Sequence, residues 1–275
     1  MVRRVCNGAR ATHAIQYTKA PRHATELAKE GIAKGFTCIV AVGGDGTVNE
    51  VAAGLKGSQV PMAIVPAGSG NGLARHLGIP MDWEKAMRAI FKSDPINIDT
   101  FTLNDRLSVN VSGIGFDGHV AGMFGLGRRR GLMSYARIAL HEYLRFGMFQ
   151  ATLTIEGREP VLHNAFIIAI ANSAQYGNNA RVAPQSSVCD GRLNVNVIRK
   201  VPLTRLDMVY SLFRGDVTRS AWCAMYETGK LTIRLDRPVR YHIDGEPCNE
   251  EDTFVIRIDP SSLPVMVPKP HQRSL

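Results

Sequence analysis

The stretch FTCIVAVGGDGTVNEVAAGL at residues 36–55 decides the fold of this chain. Its opening residues form a short apolar run rich in β-branched side chains, which is typical of a strand buried in a parallel sheet. Gly43, Gly44 and Gly46 then predict a turn that another backbone or a ligand can approach closely. Beyond the turn, apolar side chains recur at helical spacing. The stretch therefore predicts a strand, a glycine turn and a helix.

The glycine turn is expected to bind an anion. It lies between the carboxyl end of the strand and the amino end of the helix, where free N–H groups and the helix dipole favour a phosphate. Asp45 is unexpected there, because a carboxylate repels a phosphate unless a cation lies between them. We therefore expect Asp45 to contact Mg²⁺ or water bound to Mg²⁺. An ordinary glycine turn capped by Asp45 is the alternative.

A second glycine turn, AGSGNG at residues 67–72, follows another apolar run at residues 60–66. Two successive units of strand, turn and helix predict a parallel sheet with both turns at the same edge. In the second turn, Gly68, Ser69 and Asn71 can offer a backbone N–H, a hydroxyl and an amide to a phosphate or a ribose. A helix N-cap is the alternative interpretation of these residues.

The composition indicates a globular chain with an anionic partner. The 275 residues are 45% hydrophobic, which suffices for one large or two modest domains. A net charge of +9, from 33 basic and 24 acidic residues, favours nucleic acid, a membrane surface or phosphate compounds. No nucleic-acid motif accompanies the charge, so we expect no nucleic-acid partner. Five dispersed cysteines indicate reduced thiols in the cytoplasm.

The pattern changes near Pro95, from alternating strands and helices to strands with a period of two. We assign residues 1–97 to an α/β domain and residues 98–275 to a mainly antiparallel β domain, whose last residues are expected to pack back on the first domain. A tight turn is predicted at Asn104-Asp105. Further elements are predicted as a strand at residues 14–18 and helices at residues 21–34, 82–92, 132–146 and 203–226.

The sharpest late signal is YHIDGEP at residues 241–247, where a glycine separates Asp244 from Glu246. In an extended strand, side chains two residues apart point the same way. One carboxylate can then take a proton from a hydroxyl while the other binds Mg²⁺ or fixes the first. A hairpin turn whose acids face water is the alternative. We interpret His242 as structural, because its spacing to the other histidines is not that of a metal site.

The segment SVCDGR at residues 187–192 is a candidate cation site. The carboxylate of Asp190 and nearby backbone carbonyls supply the oxygen ligands that a hard cation takes. An Asp-Gly turn before a strand is the alternative. Asp99 and Asp117 are two further carboxylates near the domain boundary, for which solvation is the simpler interpretation.

Taken together, these stretches resemble the diacylglycerol kinase catalytic family, which includes bacterial lipid kinases and sphingosine kinases. Each motif is short, and the specificity lies in their order and spacing. The motifs are GGDGTVNE at 43–50, PAGSGN at 66–71, GIGFD at 113–117, AP at 183–184 ahead of CDG at 189–191, and DGE at 244–246.

The resemblance implies a fold and an activity. The fold is an N-terminal parallel α/β nucleotide-binding domain followed by a C-terminal antiparallel β-sandwich domain, with the active site in the cleft between them. The activity is ATP-dependent phosphorylation of a lipid hydroxyl, on diacylglycerol or on a sphingoid base.

The resemblance also implies site residues. Asp190 would bind Mg²⁺ through its side chain, with the backbone carbonyls of Ser187 and Arg192. Asp244 and Glu246 would lie at the chemistry, and which of them accepts the proton is open. The residues implied for the nucleotide, together with those that the two turns suggest, are Thr18, Gly43, Gly44, Asp45, Gly46, Thr47, Val48, Asn49, Glu50, Gly68, Ser69 and Asn71.

The chain departs from the family in three places. Nothing before Ala14 matches the family's opening strand and Asn-Pro-x-Ser-Gly segment, so we expect the first strand to be missing, which puts activity in question. Gly72 stands where many bacterial members have Asp, which resembles the sphingosine kinase branch and removes an acid from the Mg²⁺ network. Arg22 replaces a frequent glycine before His23.

A lipid substrate implies contact with a membrane. No apolar run reaches the length of a membrane span, so we expect a cytoplasmic protein that visits the membrane surface peripherally. The segment GLGRRRGLM at residues 125–133 is expected to lie on anionic lipid, at about 1 kcal/mol per basic residue near the surface, or to be a solvated loop. The oligomeric state is open, with a homodimer among the options.

Two other interpretations remain open. A NAD kinase or phosphofructokinase relative shares the Gly-Gly-Asp-Gly turn, although residues 68–71 and the Asp-Gly-Glu motif favour the lipid kinase. A non-catalytic nucleotide- or lipid-binding protein is the second. If the kinase assignment is right, Asp45→Ala and Asp244→Ala should each abolish phosphate transfer without unfolding the chain.

Overall fold

The computed structural model describes residues 2–125, 132–178, 180–202, 204–205 and 220–269. Its helices are α1 Val2–Gly8, α2 His23–Ala33, α3 Asp45–Leu55, α4 Gly72–His76, α5 Trp83–Ile90, α6 Phe116–Gly125 and α7 Leu132–Arg145. Its strands are β1 Ile39–Gly43, β2 Met62–Pro66, β3 Ser93–Leu103, β4 Arg106–Ser108, β5 Val111–Gly115, β6 Phe149–Ile155, β7 Val161–Ala165, β8 Ile167–Ala171, β9 Gln175–Gly177, β10 Ala180–Arg181, β11 Leu193–Ile198, β12 Cys223–Thr228, β13 Lys230–Ile243 and β14 Glu246–Pro268.

β1 and β2 form the parallel pair that the two apolar runs predict. Their register runs from Ile39 opposite Met62 to Gly43 opposite Pro66. Just beyond the pair, the Ala67 N–H donates to the Gly43 carbonyl at 2.8 Å. Both glycine turns therefore leave the sheet at the same edge, as predicted, and α3 and α4 begin there.

One sheet runs through both halves of the chain, in the order β1-β2-β14-β13-β5-β8-β11-β12. β14 connects the halves, because it pairs in parallel with β2 at Val265 and Met62 and antiparallel with β13 and β3. The strands beyond β13 pair antiparallel, and β6 with β7 and β3 with β4 branch from the main order. The predicted fold class, an α/β domain followed by an antiparallel β domain, is confirmed.

The two largest hydrophobic cores of the described residues support these halves. In the first, Val51 and Leu55 of α3 pack with Met62 of β2 and with Val265 of β14. The second is built by side chains of β5, β6, β8, β11, β13 and β14. β14 contributes side chains to both cores, and α3 packs in the first of them. The two cores therefore hold α3 and β14 in one packed structure.

Four features were predicted correctly in detail. α2 and α7 lie within the predicted helices at residues 21–34 and 132–146. Asp82 caps α5, since its carboxylate accepts from the Lys85 N–H at 2.8 Å. The turn between β3 and β4 has positive φ at both central residues, as a two-residue hairpin turn requires.

Two predicted elements were wrong. Residues 14–18 form no strand, because in the described part of the chain β1 pairs only with β2 and offers them no partner. Residues 223–226 are not helical but belong to β12, where Cys223 to Thr228 pair with β11. The rest of the predicted helix at 203–226 lies mostly outside the described residues. α1 was not predicted, because its sequence shows no clear period.

Within the described ranges, no helix combines the length and the apolar character that a bilayer crossing requires. Most of the basic segment at residues 125–133 lies outside the described residues.

Candidate active site

The amino end of α3 is open to a ligand. Gly44 is its N-cap, and this glycine has no side chain with which to cap the helix. A Cβ added to Gly44 would lie 3.1 Å from the Gly68 Cα, and one added to Gly68 would lie 2.5 Å from the Gly44 Cα. The two glycine turns thus touch backbone to backbone, which only glycine at both positions permits.

Asp45 ties the two turns together. Its Oδ2 accepts from the Asn71 N–H at 2.9 Å and its Oδ1 from the Gly72 N–H at 2.8 Å. Burial raises the pKa of the Asp45 carboxyl, while the hydrogen bonds from Gly72 and Asn71 oppose the shift. These two N–H groups of the second turn therefore donate to Asp45 and not to a ligand. An anion was expected to contact both turns. Since these two N–H groups are occupied, the first turn and the exposed tip of the second turn are left to bind it.

The second turn is closed by its own asparagine. The Asn71 side chain donates to the Gly68 carbonyl at 2.8 Å and accepts from the Gly68 N–H at 3.0 Å. Asn71 itself has a φ of 53°, which asparagine tolerates better than most residues. Ser69 is exposed at the tip of the turn. Of the residues predicted for this turn, Ser69 is the one whose side chain faces solvent.

Gly72 has no room for a side chain. A Cβ there would lie 2.7 Å from the Tyr176 carbonyl oxygen and would collide with the Asn110 side chain. The aspartate that the family resemblance implies at this position therefore does not fit this backbone.

Three predicted nucleotide contacts of α3 have partners within the protein instead. Val48 is buried, and its N–H donates to the Gly44 carbonyl at 3.1 Å, so it offers no group to a ligand. The Asn49 side chain donates to the Leu107 carbonyl at 2.9 Å and to Asp244 Oδ2 at 2.8 Å. The residues left to face a ligand at this end of the helix are those at its first turn.

Glu50 holds α2 against α3. Its carboxylate accepts from the Arg22 N–H at 2.8 Å and from the Ala24 N–H at 3.2 Å, at the amino end of α2. The Thr25 hydroxyl donates to the Glu50 carbonyl at 2.7 Å. In this structure Glu50 thus acts as a helix cap supplied from a neighbouring helix.

Arg22 occupies a left-handed conformation, with a φ of 68°. The glycine that the family resemblance implies at this position would adopt this conformation without strain. We expect Arg22→Gly to raise the unfolding free energy by about 0.5–1 kcal/mol, because removed strain of about 1–2 kcal/mol outweighs the greater freedom of glycine in the unfolded chain. Urea unfolding measures this. Lys34→Gly is the control, since Lys34 has a φ of −83° and should gain nothing. Equal stability of Arg22→Gly and wild type would contradict the strain.

Asp244 is buried within a full set of hydrogen-bond donors. Its Oδ1 accepts from the Ser108 hydroxyl at 2.6 Å and the Asn110 N–H at 3.0 Å. Its Oδ2 accepts from the Val109 N–H at 2.9 Å and the Asn49 side chain at 2.8 Å. Burial raises the pKa of the Asp244 carboxyl, and the hydrogen bonds led by Ser108 oppose the shift.

Glu246 is placed very differently from Asp244. It is exposed, and a Cβ added to Gly46 would lie 2.5 Å from Glu246 Oε1. The expectation that the two acids point the same way is wrong, because Asp244 lies in the hairpin turn with a φ of 48° and not in extended backbone. One carboxylate therefore points into the protein, and the other lies over the first turn of α3.

The Asp190 loop lies away from this site. The buried Asp99 carboxylate accepts from the Gly191 N–H and from the Ser261 N–H, both at 2.7 Å. Neighbouring residues of β14 meet the carboxyl end of α3, where the Gly57 N–H donates to the Ser262 carbonyl. Glu246 meets the amino end of α3, so the two places are separated by the length of that helix, about 16 Å.

The residues predicted for Mg²⁺ and the predicted nucleotide contact Thr18 lie at exposed or partly exposed positions. The described residues contain no group of three or more His, Cys, Asp and Glu side chains placed to hold a metal ion. Asp190 is exposed, and its Oδ1 accepts from the Arg192 N–H at 2.9 Å. Ser187 accepts from the Cys189 N–H at 3.2 Å. Thr18 is exposed in an irregular segment before α2.

Sequence reasoning missed the residues that surround Asp244. Ser108 and Asn110 bind it, and Ser108 contacts the Ser112 hydroxyl at 2.9 Å. The available signal was the alternation of polar side chains through SVNVS at residues 108–112, which an ordinary edge strand explains equally well.

The chain is similar to known proteins over both of its halves. A model of the diacylglycerol kinase catalytic domain matches residues 1–103, and one of the YegS C-terminal NAD kinase beta sandwich-like domain matches residues 110–267. A protein of Pseudomonas putida named "Probable lipid kinase YegS-like" is 30% identical, over 81% of this chain and 77% of its own length. One of the same name from Chromohalobacter salexigens is 25% identical, over 93% and 84%.

Solved structures share the fold. A diacylglycerol kinase from Bacillus anthracis has a TM-score of 0.72 at 20% identity, covering 96% of this chain and 88% of its own. A NAD kinase from Archaeoglobus fulgidus has a TM-score of 0.54 at 14% identity, covering 100% and 91%. Since both domain models match in the expected order, the chain belongs to the diacylglycerol kinase catalytic family, among its YegS-like members.

Proposed function

We propose that this chain is an ATP-dependent lipid kinase that transfers the γ-phosphoryl group of ATP to a lipid hydroxyl. One observation carries the proposal: the exposed carboxylate of Glu246 lies over Gly46, at the amino end of α3, where the N-cap is a glycine. A proton acceptor beside a phosphate-binding helix end is what phosphoryl transfer to an alcohol needs.

The first turn of α3 would hold the phosphates. The N–H groups of Asp45, Gly46 and Thr47 begin the helix, and its N-cap Gly44 has no side chain to cap them. Because Gly44 and Gly68 carry no side chains, a phosphate chain can pass close to both turns. The fold neighbour from Archaeoglobus fulgidus was solved in complex with ATP, which supports a nucleotide in this fold.

Glu246 is the residue we assign as the base. A base must reach the acceptor hydroxyl and must have a free lone pair for its proton. Asp244 meets neither requirement, because it is buried and each of its oxygens already accepts two hydrogen bonds. Asp244 instead fixes the turn that precedes Glu246.

Mg²⁺ is the metal we assign to this protein. When bound with ATP, it supplies neutralisation of charge on the transferring phosphoryl group. A second Mg²⁺ suits the Asp190 loop, where the exposed carboxylate and the backbone carbonyls of Ser187 and Arg192 offer the oxygen ligands that this ion prefers. Since that loop lies beyond the far end of α3, its metal would stabilise the fold.

The experiment is a search for the acceptor. The full chain is incubated with labelled ATP, Mg²⁺ and total lipid extract, and in parallel with diacylglycerol, sphingosine, NAD or fructose 6-phosphate. We expect label in a lipid and none in NAD or the sugar phosphate. Label in NAD would establish the NAD kinase alternative, whose fold is related to that of this chain. ATP binding without transfer to any acceptor would establish the non-catalytic alternative.

We also infer that the protein docks on an anionic membrane at the cytoplasmic face. Leu140 and Leu144 of α7 are 65% and 68% exposed at a spacing of four residues, and Met148 after the helix is 50% exposed. Arg145 is exposed beside them, and the sequence just before α7 contains three successive arginines. An apolar stripe flanked by cations suits an anionic bilayer surface.

Vesicle flotation tests the membrane surface. We expect Leu140→Glu with Leu144→Glu to lower binding to anionic vesicles by about 10-fold or more, since each buried leucine contributes about 1.5–3 kcal/mol. Leu162→Glu is the matched control, because Leu162 on β7 is 63% exposed and should bind like wild type. Wild-type binding by the α7 double variant would overturn the inference.

A further inference from the structure

We propose that His242 is a positioning residue that fixes the turn carrying Glu246, with Asp117 and Tyr176 holding its imidazole ring in place. The proposal rests on the assignment of Glu246 as the base of a lipid kinase, and it assigns a task to a histidine whose sequence context indicated only a structural role.

His242 closes the turn between β13 and β14. The Gly245 N–H donates to His242 Nδ1 at 3.1 Å. A ring nitrogen that accepts a hydrogen bond carries no proton, so the proton of the neutral ring lies on Nε2. The imidazole thus fixes the peptide between Asp244 and Gly245, one residue before Glu246.

Asp117 orients the other side of the ring. Its Oδ2 lies 3.4 Å from His242 Nε2 and accepts from the Tyr176 hydroxyl at 2.8 Å. Its Oδ1 accepts from the Gly118 N–H at 2.8 Å. The His242 and Asp117 side chains are only 4% and 9% exposed, so water competes little for these bonds. This pairing favours the tautomer that accepts from Gly245.

Gly113 makes room for the pair. The register of β5 and β13 places His242 opposite Gly113. A Cβ at Gly113 would lie 2.8 Å from His242 Nε2 and would collide with the Asp117 carboxylate. The absence of a side chain at this position therefore permits the contact between imidazole and carboxylate.

Tyr176 connects the pair to the second glycine turn. Its neighbour Gly177 forms an antiparallel bridge with Asn71. A Cβ added to Gly72 would lie 2.7 Å from the Tyr176 carbonyl oxygen, so the two backbones touch. The chain of contacts from Tyr176 through Asp117 to His242 therefore links the turn beside the phosphate site to the turn that carries the base.

Two substitutions separate the two sides of the ring. His242→Asn places an amide oxygen near the position of Nδ1 and keeps an acceptor for Gly245. His242→Gln reaches towards Asp117 and leaves the Gly245 N–H without an acceptor. We expect kcat to fall by roughly 100-fold in the glutamine variant and by less than about 10-fold in the asparagine variant, with the KM for ATP within about 2-fold in both, because a small displacement of the base costs rate and not nucleotide binding.

Amide hydrogen exchange of Gly245, measured by NMR on the full chain without substrate, tests the turn independently of catalysis. We expect exchange to be about 10-fold faster in His242→Gln than in wild type and nearly unchanged in His242→Asn. Tyr176→Phe adds a milder change, which should lower kcat several-fold without altering the KM for ATP. Equal kcat losses in the two His242 variants, or equal Gly245 exchange in wild type and His242→Gln, would overturn the proposal. If the wild type phosphorylates no lipid, the kinase assignment fails, and the exchange rates still decide the role of His242 in the turn.

Discussion

Glu246→Gln is expected to lower kcat for lipid phosphorylation by roughly 10²–10⁴-fold, which is the usual contribution of a general base. Glutamine keeps the size and the hydrogen-bonding reach of the side chain but cannot accept the proton of the acceptor hydroxyl. Because the variant retains the open amino end of α3, its affinity for ATP should stay close to that of wild type. Initial-rate kinetics with the identified lipid, together with ATP binding by calorimetry, measure both quantities.

The matched control is Glu250→Gln, in the same strand. Glu250 is exposed and pairs with Arg240 at 3.4 Å, an interaction worth little at a surface. It should keep wild-type kcat, which separates loss of the base from loss of one negative charge on β14. A Glu246→Gln variant with near-normal turnover would remove Glu246 from the chemistry, and the proton would then have to leave through solvent or through the phosphate.

The sequence predicted those parts of the site that depend on local order. Each glycine turn follows a strand and begins a helix, and a parallel pair of such units has only one common arrangement. The helical spacing of Val48 with later apolar residues also predicted its burial. The family motif nevertheless included Val48 among the nucleotide contacts, because a contiguous motif does not state which way each residue faces. The same motif included Asn49 and Glu50, whose side chains form hydrogen bonds within the protein. A motif does not show such bonds either.

The remaining parts depend on contacts between distant segments. Asp244 is bound by Asn49 and by residues of the β4–β5 region, and nothing local in YHIDGEP indicates these partners. The positive φ of Asp244 decides that it points away from Glu246, and a two-residue hairpin cannot be distinguished from a continuous strand by spacing alone. The return of β14 to pair with β2 is likewise a matter of tertiary packing.

Asp244→Asn is expected to lower the unfolding free energy by about 2–4 kcal/mol, because it turns one of two acceptor oxygens into a donor. Whichever way the amide lies, its NH₂ group would face a buried backbone N–H, that of Val109 or that of Asn110. Asn49 cannot simply flip to compensate, since its side chain also donates to the Leu107 carbonyl. The sequence led us to expect that Asp244→Ala abolishes activity and leaves the fold intact. Because Asp244→Ala would leave the same donors without an acceptor, we now expect it to lower stability as well.

Urea unfolding followed by circular dichroism gives the free energy, and an unchanged slope would show that the two-state comparison holds. Asp236→Asn is the control, because Asp236 is exposed on β13 and should change stability by less than about 0.5 kcal/mol. Asn49→Ala should cost less in the Asp244→Asn background than in wild type, since both changes remove the same bond and so do not add. Additive losses, or an Asp244→Asn variant as stable as wild type, would mean that the turn before Glu246 is held by other contacts.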